Sequence, residues 1–204
     1  MPKRLMINHG RVIASLSNFA SPVSADKLSR GKQFYYFCNH GERKVFLIME
    51  GDFIVRSENG SKIINIVSAP HVIGVLPSID PPPIWLEKVD HGRIDAIEYN
   101  KFWRIVHQKE LRSDVMDIIS SYHSDLLSYL QIASPDSEEY TLNLIRKWNS
   151  FPCHIKERFS LLFFLTNSSF LSKSTASRTL KKLKDEGVIK LDKGRLSTMP
   201  KFTV

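Results

Sequence analysis

Two cysteines, Cys38 and Cys153, are all that the 204 residues contain, and they lie far apart. A cluster held by four thiolates is excluded, and no disulfide framework can be built, which suits a reducing compartment. Long apolar runs are missing as well. None approaches the ~20 residues of a membrane-spanning helix, and MPKRLMINHGRVIASL carries basic residues without the apolar stretch of a secretory signal. A cytoplasmic protein with no membrane partner is expected. Paired histidines are also lacking. His9, His40, His71, His91, His107, His123 and His154 stand singly, whereas a two-histidine, one-carboxylate iron centre usually starts from His-x-His. Neither a metal site nor an enzyme active site is expected, and no cofactor.

Acidic residues are scarce where they would matter most. From Asn143 to Val204 there are 13 Lys and Arg against 4 Asp and Glu, net +9, while residues 1–142 are close to balanced at net −1. Solubility alone gives no reason to gather the excess at one end. A polyanion does, because each phosphate neutralised releases condensed counterions.

The segment SKSTASRTLKKLKDEGVIKLDKGRL (172–196) gives that charge a form. Ser172 can cap the free N–H groups of a first helical turn, and Gly187 suits the left-handed residue that ends a helix. Between them Ala176, Leu180 and Leu183 share one stripe at about 100° per residue. The opposite side gathers Ser174, Ser177, Arg178 and Lys181, flanked by Lys173, Lys182 and Lys184. Val188 to Leu191, a turn over 192–194, and Arg195 to Ser197 then predict a short hairpin. Upstream, IKERFSLLFFLTNSSFLS (155–172) carries Ile155, Phe159, Leu162, Phe163 and Leu165 at helical spacing and predicts one buried helix before the turn. The product is a winged helix-turn-helix. Its helix has no aromatic anchor beside its apolar stripe, which disfavours insertion at a membrane surface.

The first half predicts strands. Val45 to Met49 is an apolar run, Glu50-Gly51-Asp52 reads as a turn, and Phe53 to Val55 resumes. Asn59-Gly60 sits between strand-like runs as a hairpin signal, followed by strands at Ile63 to Val67, Ile84 to Val89 and Ile94 to Ile97. Residues 1–30 are weakly periodic and read as a loosely attached strand or arm. RSDVMDIISSYHSDLLSYLQIA (112–133) predicts a long helix. Val115, Ile119, Tyr122, Leu126, Tyr129 and Ala133 keep to one seam at steps of 4, 3, 4, 3 and 4, with Met116, Leu127 and Leu130 as an adjoining strip. A helix apolar on more than one side has its own roll and a second copy as neighbours, with Val115, Ile119, Tyr122, Leu126 and Tyr129 as the expected dimer interface. The alternative is a helix packed only within its own chain. SPDSEEY (134–140) reads as the linker.

SKSTASRTLKKLKDEGVI resembles the recognition-helix pattern of the cyclic-AMP receptor and fumarate-nitrate regulator family. VFLIMEGDFIVRSENGSKIINIVSAPHVIGV (45–75) is similar to that family's β-roll, and IEYNKFWRIV (97–106) to the helix leaving it. Length and the tail DKGRLSTM look most like the IprA-type branch. The resemblance implies an α+β chain with three parts: an antiparallel β-roll of the cyclic-nucleotide-binding jelly-roll type (1–106), a dimerisation helix (107–133) and a winged helix-turn-helix (134–204). It implies a homodimeric transcription regulator on double-stranded DNA, with RNA polymerase as a further partner. By resemblance Lys173, Ser174 and Arg178 take base-contacting positions. Thr175, Ser177, Lys181 and Lys182 would hold phosphates, and Lys193 and Arg195 make the wing contact.

Family members that bind cyclic nucleotides carry a Glu after the Gly of Ile-Gly and later an Arg-Ser pair. Here Gly74 is followed by Val75, residues 80–85 read DPPPIW, and no arginine lies between Arg56 and Arg93. A buried phosphate without a cation is strongly disfavoured, so no cyclic nucleotide is expected. Cys153, beside His154, Lys156 and Arg158, has either a redox role or a packing one. The competing reading of the whole chain is a protein-interaction or small-ligand-binding β-roll whose DNA-binding surface is idle or secondary.

Overall fold

The computed structural model describes residues 3–39, 41–57, 62–76, 84–132, 136–192 and 194–198. They form two compact units, Met1–Leu127 and Ser128–Val204. In chain order the first holds α1 (Lys3–Leu16), β1 (Ser21–Pro22), β2 (Lys27–Ser29), β3 (Lys32–Tyr36), β4 (Cys38–Asn39), β5 (Glu42–Ser57), β6 (Ile63–Ser68), β7 (His71–Ile73), β8 (Ile84–Glu98) and α2 (Tyr99–Gln108). It also holds the start of α3 (Arg112–Ile132). The second contains α4 (Ser137–Ser150), α5 (Cys153–Arg158), α6 (Leu161–Ser168), α7 (Lys173–Asp185), β9 (Lys190–Asp192) and β10 (Arg195–Thr198). No helix among the described residues is long and apolar enough to cross a membrane.

The roll is organised by two long antiparallel strands, β5 and β8. β7 pairs the first half of β5 and β6 the second, while β3 and β1 pair successive parts of β8. Glu50-Gly51-Asp52 is not a turn: β5 runs straight through it, with Gly51 opposite Gly92 of β8 and register shifts on either side. Gly51 has φ +84°, and a Cβ there would lie 2.1 Å from the His91 carbonyl oxygen. Only glycine lets the two strands come this close where they bend together. The segments expected as separate strands, 84–89 and 94–97, are likewise parts of β8. The Asn59-Gly60 turn lies outside the described residues, though Ser57 N–H donates to the Lys62 carbonyl at 2.9 Å across its base.

The apolar run at 45–48 has both faces buried. Phe46 and Ile48 join Tyr35, Phe37, Phe53, Val55, Val67, Leu86 and Ile94 inside the roll. Val45 and Leu47 face the other way, onto Val12 and Leu16 of α1, Phe102 and Val106 of α2, and Val115 and Ile118 of α3. Residues 3–16 are therefore no loose arm. α1 is a packed helix, and Asn8 and Arg11 tie it to α3 through Asp117 (2.9 Å) and Asp114 (3.1 Å). Glu98 caps α2, accepting from the N–H groups of Asn100 (2.8 Å) and Lys101 (2.7 Å), which helps hold its carboxyl below the usual range.

In the second unit the expected linker ends early. Asp136 caps α4, accepting from Glu138 N–H and Glu139 N–H, and α4 buries Leu144, Ile145 and Trp148. The single helix expected over 155–165 is two: Phe159 ends α5, and Ser160 caps α6 by accepting from Phe163 N–H at 3.1 Å. Leu161, Phe164 and Leu165 are the buried side of α6. Trp148 stacks on Phe164 with centroids 4.9 Å apart.

Candidate nucleic-acid interface

α7 has the limits its sequence predicts. Ser172 Oγ accepts from Thr175 N–H at 3.0 Å, and Gly187 (φ +72°) donates to the Lys184 carbonyl at 3.0 Å. Ala176, Leu180 and Leu183 are buried against the unit's own core, where α4 and α6 adjoin α7. With one side fixed, the other is presented to solvent: Lys173, Ser174, Ser177, Arg178, Lys181 and Lys182 are exposed.

These groups are not equivalent. Thr175 is partly buried, and its Oγ1 lies 2.9 Å from Ser172 Oγ, so its hydroxyl belongs to the cap. Ser174 Oγ lies 2.8 Å from the same oxygen. Lys182 donates to Glu138 of α4, and Glu186 Oε1 stands 3.8 Å from its ammonium. The Glu138 hydrogen bond and charge raise the Lys182 pKa and neutralise much of its field. Lys173, Arg178 and Lys181 have no such carboxylate partner among the described residues.

β9 and β10 form the expected hairpin, with Leu191 opposite Leu196, Asp192 opposite Arg195, and Gly194 at φ +79°. Leu161 N–H donates to the Gly194 carbonyl at 3.2 Å, fixing the wing's tip to the start of α6. Arg195 is exposed. Lys193 lies outside the described residues.

The expected dimer seam is placed differently. Val115 is fully buried in the core of its own unit, and Ile119 and Tyr122 pack against that core. Tyr122 hydroxyl donates to the Val72 carbonyl and lies 3.3 Å from His71 Nε2. Burial, with Asp125 nearby, pushes the phenol's pKa strongly up. Val115 and Tyr122 face their own roll, and Ile119 packs against it only in part. Leu126 is exposed, and the side chain of Tyr129 lies outside the described residues. Of the adjoining strip, Met116 (55% exposed) and Leu127 (47%) face solvent and the side chain of Leu130 lies outside the described residues; with Leu126 (55%), His123 and, at the edge, Ile119 they make an outward strip of α3. Cys153, the first residue of α5, is exposed too.

Sequence reasoning missed α4 and the Glu138 that it brings to Lys182. The start of α4 was readable: Asp136 with Glu138 and Glu139 in the first turn is a helix N-terminal pattern. It also missed that His9 and His71, scattered in sequence, meet in the fold.

No family model matches the chain, and neither does any curated protein. Solved structures do. The c-di-GMP responsive global regulator CLP of Xanthomonas campestris matches at TM-score 0.59 and 14% identity, over 92% of this chain and 97% of that one. A CooA mutant from Carboxydothermus hydrogenoformans matches at TM-score 0.65 and 14% identity, over 87% and 81%. A cyclic nucleotide-binding domain containing protein from Listeria monocytogenes matches at TM-score 0.64 and 13% identity, over 95% and 97%. The chain shares the fold of these proteins over most of its length, as the resemblance of its recognition-helix and roll segments implied.

Proposed function

We propose that the chain is a sequence-specific DNA-binding regulator of transcription, homodimeric and cytoplasmic, without enzymatic activity. The observation that carries this reading is α7. Its apolar stripe is locked into the core, its capped end is exposed, and its free face carries Lys173, Ser174, Ser177, Arg178 and Lys181. A rigid basic helix of that kind suits a major groove, where its first turns reach base edges. CLP, whose fold the chain shares, links cell-cell signalling to virulence gene expression, which supports the same reading. RNA polymerase is the natural further partner.

Lys173, Ser174 and Arg178 contact bases; Ser177 and Lys181 hold phosphates; Arg195 and Lys193 of the wing reach the backbone. Thr175 acts through the cap, and Lys182 acts only when Glu138 releases it. The dimer forms along the exposed strip of α3, Met116, Ile119, His123, Leu126 and Leu127, whose first four members step by 3, 4 and 3 as a two-helix seam does. Two chains then read paired half-sites. The roll takes no cyclic nucleotide. Its interior filling supports this: Tyr35 and Phe37 pack edge-to-face on Phe46, with centroids 6.4 and 5.2 Å apart, and Tyr35 lies likewise 6.1 Å from Phe53.

The test separates base reading from charge. Duplexes selected from a random pool by the wild-type protein supply the cognate sequence. Arg178→Ala weakens cognate binding by roughly 1 to 3 kcal/mol and narrows the gap to random DNA, whereas Lys181→Ala weakens both alike. Equal losses on both sequences for both variants overturn the assignment.

A further inference from the structure

We propose that Phe170 is a specificity residue of this surface, its ring taking up the 5-methyl group of a thymine in the major groove. The inference rests on the DNA-binding reading above and names a base feature that this reading leaves unassigned. Phe170 is 83% exposed, more than any other large apolar residue of the described chain. In its own unit Tyr140, Trp148, Phe151, Phe159, Phe163 and Phe164 are all buried or partly buried.

The turn itself puts the ring outside. Ser169 is turned inward, its Oγ donating to the Leu165 carbonyl at 2.6 Å and accepting from Leu171 N–H at 3.2 Å. That double anchor fixes the backbone on either side of Phe170. Two residues later Ser172 caps α7, so the phenyl ring stands at the same end of the helix as Lys173 and Ser174. Its neighbours there carry charges and hydroxyls suited to phosphates and polar base edges. A phenyl ring suits neither. Among the groups a base pair shows in the major groove, the thymine methyl is the apolar one, and phenylalanine is among the side chains that contact it. An aromatic ring at the leading end of a groove-reading helix therefore has one apolar partner on the duplex.

The experiment uses the full-length protein and the cognate duplex selected by the wild type, synthesised once with thymidine and once with deoxyuridine throughout. Uracil removes only the methyl groups and keeps every hydrogen-bonding edge. Wild type is expected to bind the thymidine form about fifteenfold more tightly over the two half-sites, about fourfold for each methyl-sized group buried. Phe170→Ala loses that preference, Phe170→Leu keeps part of it, and both retain the wild-type circular dichroism. Restoring thymidines singly then locates one base pair per half-site. The proposal is overturned if wild type ignores the methyl groups. It is equally overturned if Phe170→Ala keeps the same thymidine preference, or if that variant weakens both forms alike, which would put the ring on the sugar-phosphate backbone or on another protein. Absence of any selected duplex sinks the DNA-binding reading itself, a result distinct from these.

Discussion

The rings of His9 and His71 stack with centroids 4.3 Å apart, one carried by α1 and the other by β7. His9 Nδ1 accepts from Val72 N–H at 3.0 Å, and its Nε2 meets no partner among the described residues. Tyr122 of α3 closes the group over the Val72 carbonyl. Three elements distant in sequence are thus joined by polar contacts.

That placement fixes a pH dependence. Burial holds His9 at about 4, and burial with its histidine neighbour holds His71 at about 3, against an ordinary value of 6.5. Both rings are neutral in the folded protein at pH 7. Below 6.5 the unfolded chain takes up protons that the folded one refuses, so stability is complete above that value and is lost as pH falls toward the folded values. Each histidine contributes up to ~1.4 kcal/mol per pH unit inside the window. Hydrogen exchange of peptides from α1 and β7 is expected to accelerate between pH 6.5 and 4, and a His71→Gln variant to show a shallower dependence. A profile that this substitution leaves unchanged would show that other groups govern the acid response.

Lys182 and Glu138 set the charge that the proposed interface offers. With the carboxylate in place the ammonium is engaged within its own unit, so removing the lysine changes little. Removing the carboxylate does more. Glu138→Gln is expected to raise affinity for random duplexes and to steepen the salt dependence by about one phosphate contact, while Lys182→Gln stays near wild type. Lys181→Gln flattens the dependence by about one contact. Fluorescence anisotropy across a salt series resolves the three; a Lys182→Gln slope as shallow as that of Lys181→Gln would place both lysines on phosphates.

How far the chain could be read varied with where the deciding partner lies. α7 and its hairpin were legible because their signals are local: a capping Ser172, a left-handed Gly187, and a buried triplet at 176, 180 and 183. α1 was not, because Asn8 and His9 occupy buried positions where an apolar periodicity would be sought. Gly51 looked like a turn because a positive φ at a bend and one in a hairpin have the same sequence mark. Gly92, which makes it a bend, lies far along the chain. In α3 two heptad phases share Ile119 and Leu126, so spacing alone could not choose between them. The bond from Tyr122 to Val72 chooses, turning one phase inward.

That choice makes the two phases behave oppositely under substitution. Val115 belongs to the core, so Val115→Ala leaves a cavity and lowers the stability of its unit by about 1 to 2 kcal/mol, with no change in association of the folded protein. Leu126 is 55% exposed on the outward strip, so Leu126→Glu leaves the isolated chain stable. In the proposed dimer it sets two carboxylates against each other on an apolar seam, which costs several-fold to several-hundred-fold in association. Analytical ultracentrifugation at micromolar concentration is expected to show a dimer for wild type and Val115→Ala and a monomer for Leu126→Glu. On a duplex carrying two half-sites, Leu126→Glu should also bind each half-site independently. If Leu126→Glu sediments as wild type does while Val115→Ala falls apart into monomers, the seam is the inward phase after all, and α3 must turn over to form it.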